Sequence, residues 1–551
     1  MHIDLIISHA RIRTGWSQRP TASAVGVWQG LIVGFDEQLH GMTAEIEVDA
    51  RGAFMMAGFN DAHAHSVWYG QTLSETDLTG AADRSQVYEK IAQESGDDSD
   101  DSDGSAWLIA AGFDPLALEA PLELDALDRA ARGRPLLIKH ASGHAYTVNG
   151  VALEAVGIGR YPHARVDGGV IATDEEGRAT GLLEENAMRP VQDVLQPDPL
   201  LEISRALDRA TTAYARQGLT SVTDAGVGGG WIGHSPREFA AYQDARERRT
   251  LSTRTQAMIA SDVFHPIRGH RTEEAFAGLD AGIRCGLGDD RLQIGPMKLF
   301  VDGSLLGGTA AVTEPYCGHD SGHGYLQGDP DAMAATITGA VHAGWAIATH
   351  AIGDRGLDLA LDMLERATAE SHRTPPMPHR IEHGGVVRPD QLPRIKSLGA
   401  ALVPQPMFIA AYGDGMAEKL GDRRTLLSYP AASVLRAGIT LPGSSDRPVA
   451  EGAPLRVIQS FVERTTQTGR DYGPDERITV DQALSAYTTG SARATGWAAC
   501  KGHLAPGMLA DFVVLSADPR HVPTDAIGRI GVLSTWVGGE CTFTAEQPMT
   551  G

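Results

Sequence analysis

The sequence predicts an α/β protein whose middle forms a (β/α)8 TIM barrel, with β-rich ends and an insertion after the first barrel strand. Eight short apolar segments alternate with helical stretches between residues 54 and 442, and repeated β–α units of this number close into a parallel barrel. Short runs rich in β-branched residues occupy both ends of the chain, as is typical of strands. Residues 60–218 separate the first two apolar segments, far more than one β–α connection needs.

The predicted barrel strands are short apolar runs bounded by turn residues. They are residues 54–59, 219–223, 255–259, 297–301, 345–349, 379–382, 400–404 and 438–442. The insertion contains strand-like runs at 107–110 and 135–139, and an acidic, serine-rich run at 94–105 that is typical of a solvated loop.

These observations predict a division of the chain into five parts. They are a first β-sandwich part at 1–56, barrel strand one at 57–67, an inserted domain at 68–205, the rest of the barrel at 206–499, and a second β-sandwich part at 500–551. The two β-rich ends either meet in one small sheet domain or form unrelated extensions. We expect the inserted domain to cover the mouth of the barrel.

The net charge of the chain argues against nucleic acid as a partner. It has 47 Lys and Arg against 70 Asp and Glu, a formal charge of −23, and an acidic protein repels a phosphate backbone. Four widely spaced cysteines without a CxxC pair exclude a zinc ribbon and disfavour a disulfide framework. Because no stretch resembles a signal peptide or a spanning helix, we expect a cytoplasmic protein with a small-molecule substrate and no membrane partner, and leave a homodimer open.

A pair of histidines follows the first apolar segment. His63 and His65 lie two residues apart, and alternate side chains of a strand share a face, so both rings can bind one ion. Imidazole is a common ligand of zinc and similar metals. This spacing is weak evidence by itself, because single surface histidines outnumber metal ligands.

Further metal-ligand residue types occur where later barrel strands end. His350, His383 and Asp446 follow the fifth, sixth and eighth apolar segments. Active sites of (β/α)8 barrels lie at the C-terminal ends of the strands, so these side chains should converge with the two histidines. The alternative requires a separate polar partner for each of them. The sequence therefore predicts a metal centre.

Lys298 lies within an apolar strand, where an ammonium group is costly to bury. Burial lowers the pKa of a lysine, and the neutral amine can react with carbon dioxide to give a carbamate that bridges two metal ions. The alternative is a plain lysine paired with Asp302 or with another barrel carboxylate. The chemistry of the residues alone does not decide between the two.

Longer motifs in the chain are shared with a known family. They are AGFNDAHAH at 57–65, MKLFVDGSLL at 297–306, THAIGD at 349–354, RIEH at 380–383, QP at 405–406, GSSDRPV at 443–449 and GMLADFVVL at 507–515. In this order the chain resembles the amidohydrolase superfamily, specifically its amidohydrolase-3 branch of YtcJ-like and N-substituted formamide deformylase-like proteins. One departure is Ala57, which stands where the family usually has proline.

The resemblance implies a composite β-sandwich made from both ends of the chain, and a hydrolase acting on carbon–nitrogen bonds other than peptide bonds. It implies a divalent metal, Zn²⁺ foremost, with the number of ions (one or two) left open. The implied metal residues are His63, His65, His350, His383 and Asp446. Lys298 matches the position that carries N6-carboxylysine in related members.

The mechanism expected from this set is hydrolysis of an amide or formamide-type bond by a metal-activated water. Asp446 is the predicted general base and acid, and His144 in the insertion is the candidate donor for the oxyanion. Asp302 and Asp354 are expected to orient other groups. A deaminase or a cyclic amide or imide hydrolase on the same scaffold, and a non-catalytic sensor or regulator, are the alternatives.

Overall fold

The computed structural model describes residues 1–96, 107–113, 115, 118, 120–140, 145–159, 162, 165–166, 169–230, 232–272, 276–318 and 322–545. The chain divides into two compact units, of which the first combines Met1–Tyr69 with Leu200–Gly551 and the second is Gly70–Pro199. The predicted oxyanion donor His144 and residues 97–105 of the acidic run lie outside the described residues. Within the described part, no helix is both long enough and apolar enough to cross a membrane.

A barrel of parallel strands forms the centre of the first unit. Each strand pairs in parallel with the next one along the chain. The seven strands are Phe59–Ala64, Leu219–Val227, Arg254–Ala260, Leu292–Phe300, Ile347–Ala351, Arg380–His383 and Ala401–Val403. Six of the seven are buried along their whole length, as expected for a sheet covered on both faces.

An irregular segment fills the eighth position and closes the barrel. Thr440 forms a parallel bridge with Ala401 in the seventh strand. On the other side, the Ala62 amide of the first strand donates to the Gly443 carbonyl over 2.9 Å. Pro442 has no N–H to donate, so a regular ladder cannot continue through this segment. The predicted (β/α)8 class is confirmed, with this closing segment in place of a regular eighth strand.

The first barrel strand begins later than the sequence predicts. Phe54–Ala57 is a separate strand that pairs antiparallel with Phe512–Leu515 outside the barrel, so the predicted barrel strand at 54–59 is wrong. The chain crosses from one sheet to the other at Gly58. A Cβ atom on Gly58 would lie 2.1 Å from the Thr220 side chain, so only glycine fits at this crossing.

Amphipathic helices cover the barrel. The helix Leu200–Arg216 illustrates the pattern, because Ile203, Leu207, Ala210 and Tyr214 are all buried at helical spacing. The remaining helices of this unit are Glu238–Arg248, Pro330–Ala343, Asp354–Glu370, Gln391–Ser397, Met407–Thr425, Ala432–Arg436, Pro454–Glu463, Val480–Ser485 and Ser491–Ala494. A further short helix, Ser66–Thr72, follows the first barrel strand.

The two ends of the chain form two small sheets, one from N-terminal strands alone and one from strands of both ends. The four-stranded sheet has the order Leu31–Phe35, Val25–Trp28, His2–Ser8 and Thr43–Asp49. The six-stranded sheet has the order Glu540–Thr544, Val532–Val537, Phe512–Leu515, Phe54–Ala57, Arg11–Arg13 and Thr21–Ala22. N-terminal and C-terminal residues share one buried apolar cluster in these sheets, including Leu5, Val25, Phe512 and Trp536.

The second unit is a seven-stranded sheet with its own apolar clusters. In sheet order its strands are Arg165–Val166, Gly169–Thr173, Ala179–Glu185, Ala145–Val148, Leu136–His140, Leu108–Phe113 and Thr76–Asp77. Its helices are Arg84–Glu94, Leu124–Ala130, Gly150–Ala155 and Arg189–Leu195.

A buried group of charges joins the third barrel strand to the C-terminal sheet segment. Asp511 accepts two hydrogen bonds from Arg254, of 2.8 and 2.9 Å, and one of 2.9 Å from Lys501. All three side chains are almost fully buried. Burial alone would raise the pKa of Asp511, but the charges of Lys501 and Arg254 outweigh it and hold that pKa below the ordinary value.

We predict that Asp511→Asn lowers the free energy of unfolding of this unit by about 3–5 kcal/mol, because it leaves the buried Lys501 without its counter-charge and Arg254 with Asp290 alone. The change is measured as a shift of the thermal or denaturant unfolding midpoint. Glu202→Gln is the control, because it removes the exposed Arg205–Glu202 pair and should cost at most about 1 kcal/mol.

The same prediction has a pH dependence. Because the folded pKa of Asp511 is depressed, its stabilisation is complete above the unfolded pKa of about 3.9 and is lost as the pH falls below it. The difference between wild type and Asp511→Asn should therefore shrink below about pH 4. An equal difference at pH 7 and pH 3 would contradict the proposed ion pairing.

Candidate metal centre

The candidate metal-centre residues lie together at the C-terminal ends of the barrel strands, where (β/α)8 enzymes have their active sites. Lys298 belongs to the fourth strand, His350 to the fifth and His383 to the sixth, and Asp446 follows the closing segment. All six predicted residues line one cavity of about 140 Å³, namely His63, His65, Lys298, His350, His383 and Asp446.

Three of these residues form the tightest group. The Asp446 Oδ1 atom lies 3.1 Å from His63 Nε2 and 3.0 Å from His65 Nε2, and the three ligand atoms lie within 4.8 Å of one another. Burial acts to raise the pKa of Asp446, but the neighbouring His63, His65 and His383 lower it well below its ordinary value. The carboxylate is therefore ionised at neutral pH.

The donor atoms of this group fit a divalent metal. His63 Nε2 and Asp446 Oδ1 are both buried, and neither makes a hydrogen bond of acceptable geometry; the same is true of His350 Nδ1. Buried polar atoms are nearly always satisfied in native proteins. Imidazole nitrogens and a carboxylate oxygen directed at one point are the ligands that zinc and similar ions use.

His350 and His383 each have one ring nitrogen held by a fixed partner. His350 Nε2 lies 3.0 Å from the Gly303 carbonyl, which can only accept, so Nδ1 is left to bind. His383 Nδ1 lies 2.7 Å from Gln405 Oε1, which leaves the Nε2 atom of His383 to bind. Burial lowers the pKa of His350 to about 3 and that of His383 well below its usual value. Both rings are therefore neutral, the form that binds metals.

Lys298 is buried in the same cavity and forms no ion pair with any residue that the structure describes. Its Nζ atom lies 4.9 Å from the centre of the Phe300 ring. Burial lowers the pKa of Lys298 to about 8, although Glu382 and Asp446 partly oppose this. The alternative pairing of Lys298 with Asp302 is absent, because Asp302 instead accepts backbone hydrogen bonds from Ala311, Ile352 and Gly353.

Asp302 and Asp354 hold backbone around the cavity and do not line it. The hydrogen bonds from Ile352 and Gly353 fix the turn that follows His350, and the one from Ala311 ties this turn to a second loop. Burial raises the pKa of Asp302 to about 7. Asp354 accepts from the Thr313 amide over 2.9 Å and from Arg388 over 3.2 Å. The orienting roles expected from the sequence stay predictions for both residues.

Glu382 is a residue of the site that the sequence analysis did not single out. Its Oε2 atom lies 2.5 Å from His63 Nδ1, so it directs the other nitrogen of His63 toward Asp446. Arg380 donates to both oxygens of Glu382, over 2.7 and 2.9 Å, and to the Ala62 carbonyl. The motif at 380–383 contains this carboxylate, but its partner His63 is distant in the sequence.

Gln405 is a second missed residue. Besides accepting from His383, its amide nitrogen donates to the Val403 carbonyl over 3.0 Å and to Ser444 Oγ over 3.2 Å. Because both ends of the amide have partners, Gln405 cannot turn without breaking hydrogen bonds. It thereby sets the orientation of the His383 ring.

Two site residues have a backbone conformation that side chains rarely adopt. The φ angles are +74° at His383 and +57° at Asp446. Such non-glycine conformations cost on the order of 1–3 kcal/mol and persist where surrounding contacts impose them. Here the contacts include Asp61, which accepts from the amide and hydroxyl of Ser445, beside Asp446.

Comparison with known proteins agrees with this geometry. The model of the amidohydrolase family matches residues 47–543. The chain belongs to the amidohydrolase family. This amidohydrolase-family protein is 29% identical over 535 residues to YtcJ of Bacillus subtilis (strain 168), named as an amidohydrolase, with 94% of this chain and 96% of YtcJ covered.

Two further relatives of this family member are informative. It is 27% identical over 559 residues to the N-substituted formamide deformylase of Arthrobacter pascens, covering 97% of both chains. Its fold matches a metal-dependent hydrolase from Pyrococcus horikoshii OT3 with a TM-score of 0.74 at 23% identity, covering 95% of this chain and 99% of the other.

We predict that Glu382→Gln weakens metal binding by roughly 10–100-fold, the usual cost of losing a partner that orients a metal-bound histidine. His63→Ala, which removes a ligand, should abolish stoichiometric metal. Metal content after dialysis against graded chelator, measured by elemental analysis, gives both results.

Glu365→Gln is the matched control. Glu365 lies on the outer helix Asp354–Glu370 and pairs with Arg394, so this variant should leave the metal content unchanged. Thermal unfolding of each variant separates the two roles of Glu382. If Glu382→Gln loses stability but keeps its metal affinity, Glu382 acts only as the structural partner of Arg380 and does not orient His63 for metal binding.

Proposed function

We propose that this protein is a metal-dependent hydrolase that cleaves a carbon–nitrogen bond, of amide or formamide type, in a small molecule. The observation that carries the proposal is the buried group of His63, His65 and Asp446, whose ligand atoms meet at the mouth of the barrel. The resemblance over nearly the whole chain to the N-substituted formamide deformylase of Arthrobacter pascens supports the bond type.

We assign the metal-holding role to His63, His65, His350, His383 and Asp446, with Zn²⁺ as the first candidate. When bound, a divalent ion lowers the pKa of a water molecule from 15.7 to about 7 and polarises the substrate carbonyl. Lys298, whose pKa is near 8, is the candidate for carboxylation, which would turn a buried amine into an anionic ligand.

Asp446 is the proposed proton shuttle. Its carboxylate accepts the proton that water loses on attacking the carbonyl carbon, and returns it to the leaving nitrogen as the carbon–nitrogen bond breaks. The negative charge that develops on the carbonyl oxygen needs a donor. His144 remains the proposed donor from the sequence, and Tyr429, which lines the cavity, is a second candidate because burial raises the pKa of its hydroxyl and keeps it protonated.

Two alternatives follow from the sequence. A deaminase or a cyclic amide or imide hydrolase would use the same site and attack a different bond, whereas a sensor or regulator would attack none. A screen of purified, metal-loaded protein against N-formyl amines, acylated amines, cyclic imides, carbamates and amino-substituted heterocycles separates an amide hydrolase from a cyclic amide hydrolase or a deaminase. A protein that binds metal and ligand but turns over none of these would be the sensor. Cytoplasmic location and a homodimer stay predictions.

We predict that Asp446→Asn keeps its fold and most of its metal, while turnover falls by at least about 10²–10⁴-fold, as is typical of losing a general base. Asparagine preserves the shape of the side chain but cannot accept the proton. Turnover on the best substrate of the screen, metal content and thermal unfolding are measured together.

Two outcomes would contradict this role. Near-normal turnover with metal bound would mean that Asp446 is not the proton shuttle. Loss of all metal would mean that Asp446 is chiefly a ligand, and the base would then be sought elsewhere, with His144→Ala as the next variant. Asp362→Asn is the control, because Asp362 is exposed and, among the residues that the structure describes, pairs with Arg394 alone.

We also predict that Lys298 is carboxylated in protein prepared with metal and bicarbonate. Electron density at high resolution should show a carboxylate on Nζ that contacts the metal centre. Mass analysis of denatured protein is unsuitable, because the carbamate is lost on unfolding. An unmodified amine beyond hydrogen-bonding distance of any metal ion would reject the prediction.

A further inference from the structure

The cavity that holds the candidate metal residues has an apolar wall. Its polar surface comes from the metal-centre group and from two other side chains, Ser304 and Tyr429. The remaining wall is apolar and includes Trp68, Phe300, Leu305, Ile352, Phe408 and Met416. Within the described residues, no side chain outside the metal-centre group brings a formal charge to this cavity.

The two polar side chains of the wall are neutral. Ser304 Oγ already accepts from the Gly307 amide over 3.0 Å. Tyr429 is almost fully buried, and burial raises the pKa of its hydroxyl well above the ordinary value. A substrate carboxylate or ammonium placed against this wall would therefore lose its hydration without gaining a counter-charge, which is strongly unfavourable.

The size of the cavity limits the substituent that can enter. Its volume is about 140 Å³, close to the roughly 150 Å³ apolar cavity that is known to accept benzene in another protein. Sites for drug-sized molecules are usually about 300–1,000 Å³. The reacting amide shares this space with its substituent, so we expect a short alkyl group or one six-membered ring to fit better than a fused bicyclic group.

The wall is held in place from several sides. The helix Met407–Thr425, here called the pocket helix, begins two residues after Gln405. It contributes Phe408 and Met416 to the wall, eight residues apart on one face. Tyr412 of this helix donates to the Val449 carbonyl, and Lys419 donates to the Leu306 carbonyl. These contacts tie the helix to both neighbouring loops of the cavity.

Resting on the proposed function, we infer that the substrate is an uncharged amide whose substituent is a compact apolar group, and that Met416 limits its size. Met416 is the suitable position for this limit because it is buried in the wall, and its unbranched thioether chain contacts the cavity without any hydrogen bond to lose. The charge-free wall selects against N-acyl amino acids and other substrates that carry a carboxylate.

The first experiment compares matched amides on metal-loaded wild-type protein. N-cyclohexylformamide and N-cyclohexylacetamide are each paired with the 4-carboxycyclohexyl analogue, which has the same reacting bond. We expect kcat/KM to be at least 100-fold higher for the neutral member of each hydrolysed pair. Equal or faster turnover of the carboxylate member would overturn the inference.

The second experiment tests Met416. Met416→Ala should raise kcat/KM for an N-naphthyl amide at least tenfold relative to the cyclohexyl amide, because it opens the wall. Met416→Trp should lower kcat/KM for the cyclohexyl amide at least tenfold without loss of metal. Met363→Ala is the matched control, since Met363 is buried in the outer helix Asp354–Glu370 and does not line the cavity. Unchanged size preference in both Met416 variants would overturn the role of this residue.

A binding measurement separates this inference from the proposed function. Calorimetric titration of metal-loaded Asp446→Asn with the same neutral and carboxylate compounds requires no turnover. If no amide is hydrolysed but the neutral compounds bind at least tenfold more tightly, the selection by the wall stands and the proposed reaction fails. If the carboxylate compounds bind equally well, or neither class binds, the inference is wrong.

Discussion

The Asp446 amide donates to the His63 carbonyl over 2.8 Å, and the rest of the site depends on this hydrogen bond between the two ends of the barrel sheet. Together with the bond from Ala62 to Gly443, it draws the irregular closing segment against the first strand. Closure brings the Asp446 carboxylate to 3.0–3.1 Å from two imidazole nitrogens. It also imposes the positive φ of Asp446, because the contacts on both sides leave the backbone no relaxed alternative.

Buried charges are compensated differently in the Asp511 group and at the candidate metal centre. Asp511 has a cation on each side, Arg254 and Lys501, and its polar atoms are satisfied within the chain. At the mouth, His63 and Asp446 are equally buried but keep unsatisfied atoms. In the first arrangement each charge has its partner, so the removal of one of them destabilises the fold. The second retains binding capacity, and this unsatisfied set is what makes a bound cation favourable there.

Orientation of the metal-centre residues comes from a layer of partners behind them. Glu382 and Gln405 each hold one nitrogen of a histidine, so the opposite nitrogen faces the cavity. Because only Pro406 lies between Gln405 and the pocket helix, the residue that orients His383 is followed closely in the chain by the helix that shapes the apolar wall. The proposed chemistry and the proposed substrate preference therefore share one structural support.

The barrel class and five of the candidate metal residues followed from the sequence, because residue types such as His63 and Asp446 occur where apolar segments end, and strand ends of a barrel converge. Lys298, which lies within a strand, joined this set through the family resemblance. The first strand was misplaced because Phe54–Ala57 and Phe59–Ala64 are both buried on both faces, and such strands lack the alternation that reveals register. Glu382 could not be assigned to His63, since 319 positions separate them and only the folded sheet makes them neighbours. Partners, ring orientation and cavity size are properties of distances between remote segments, and those distances exist only in the tertiary structure.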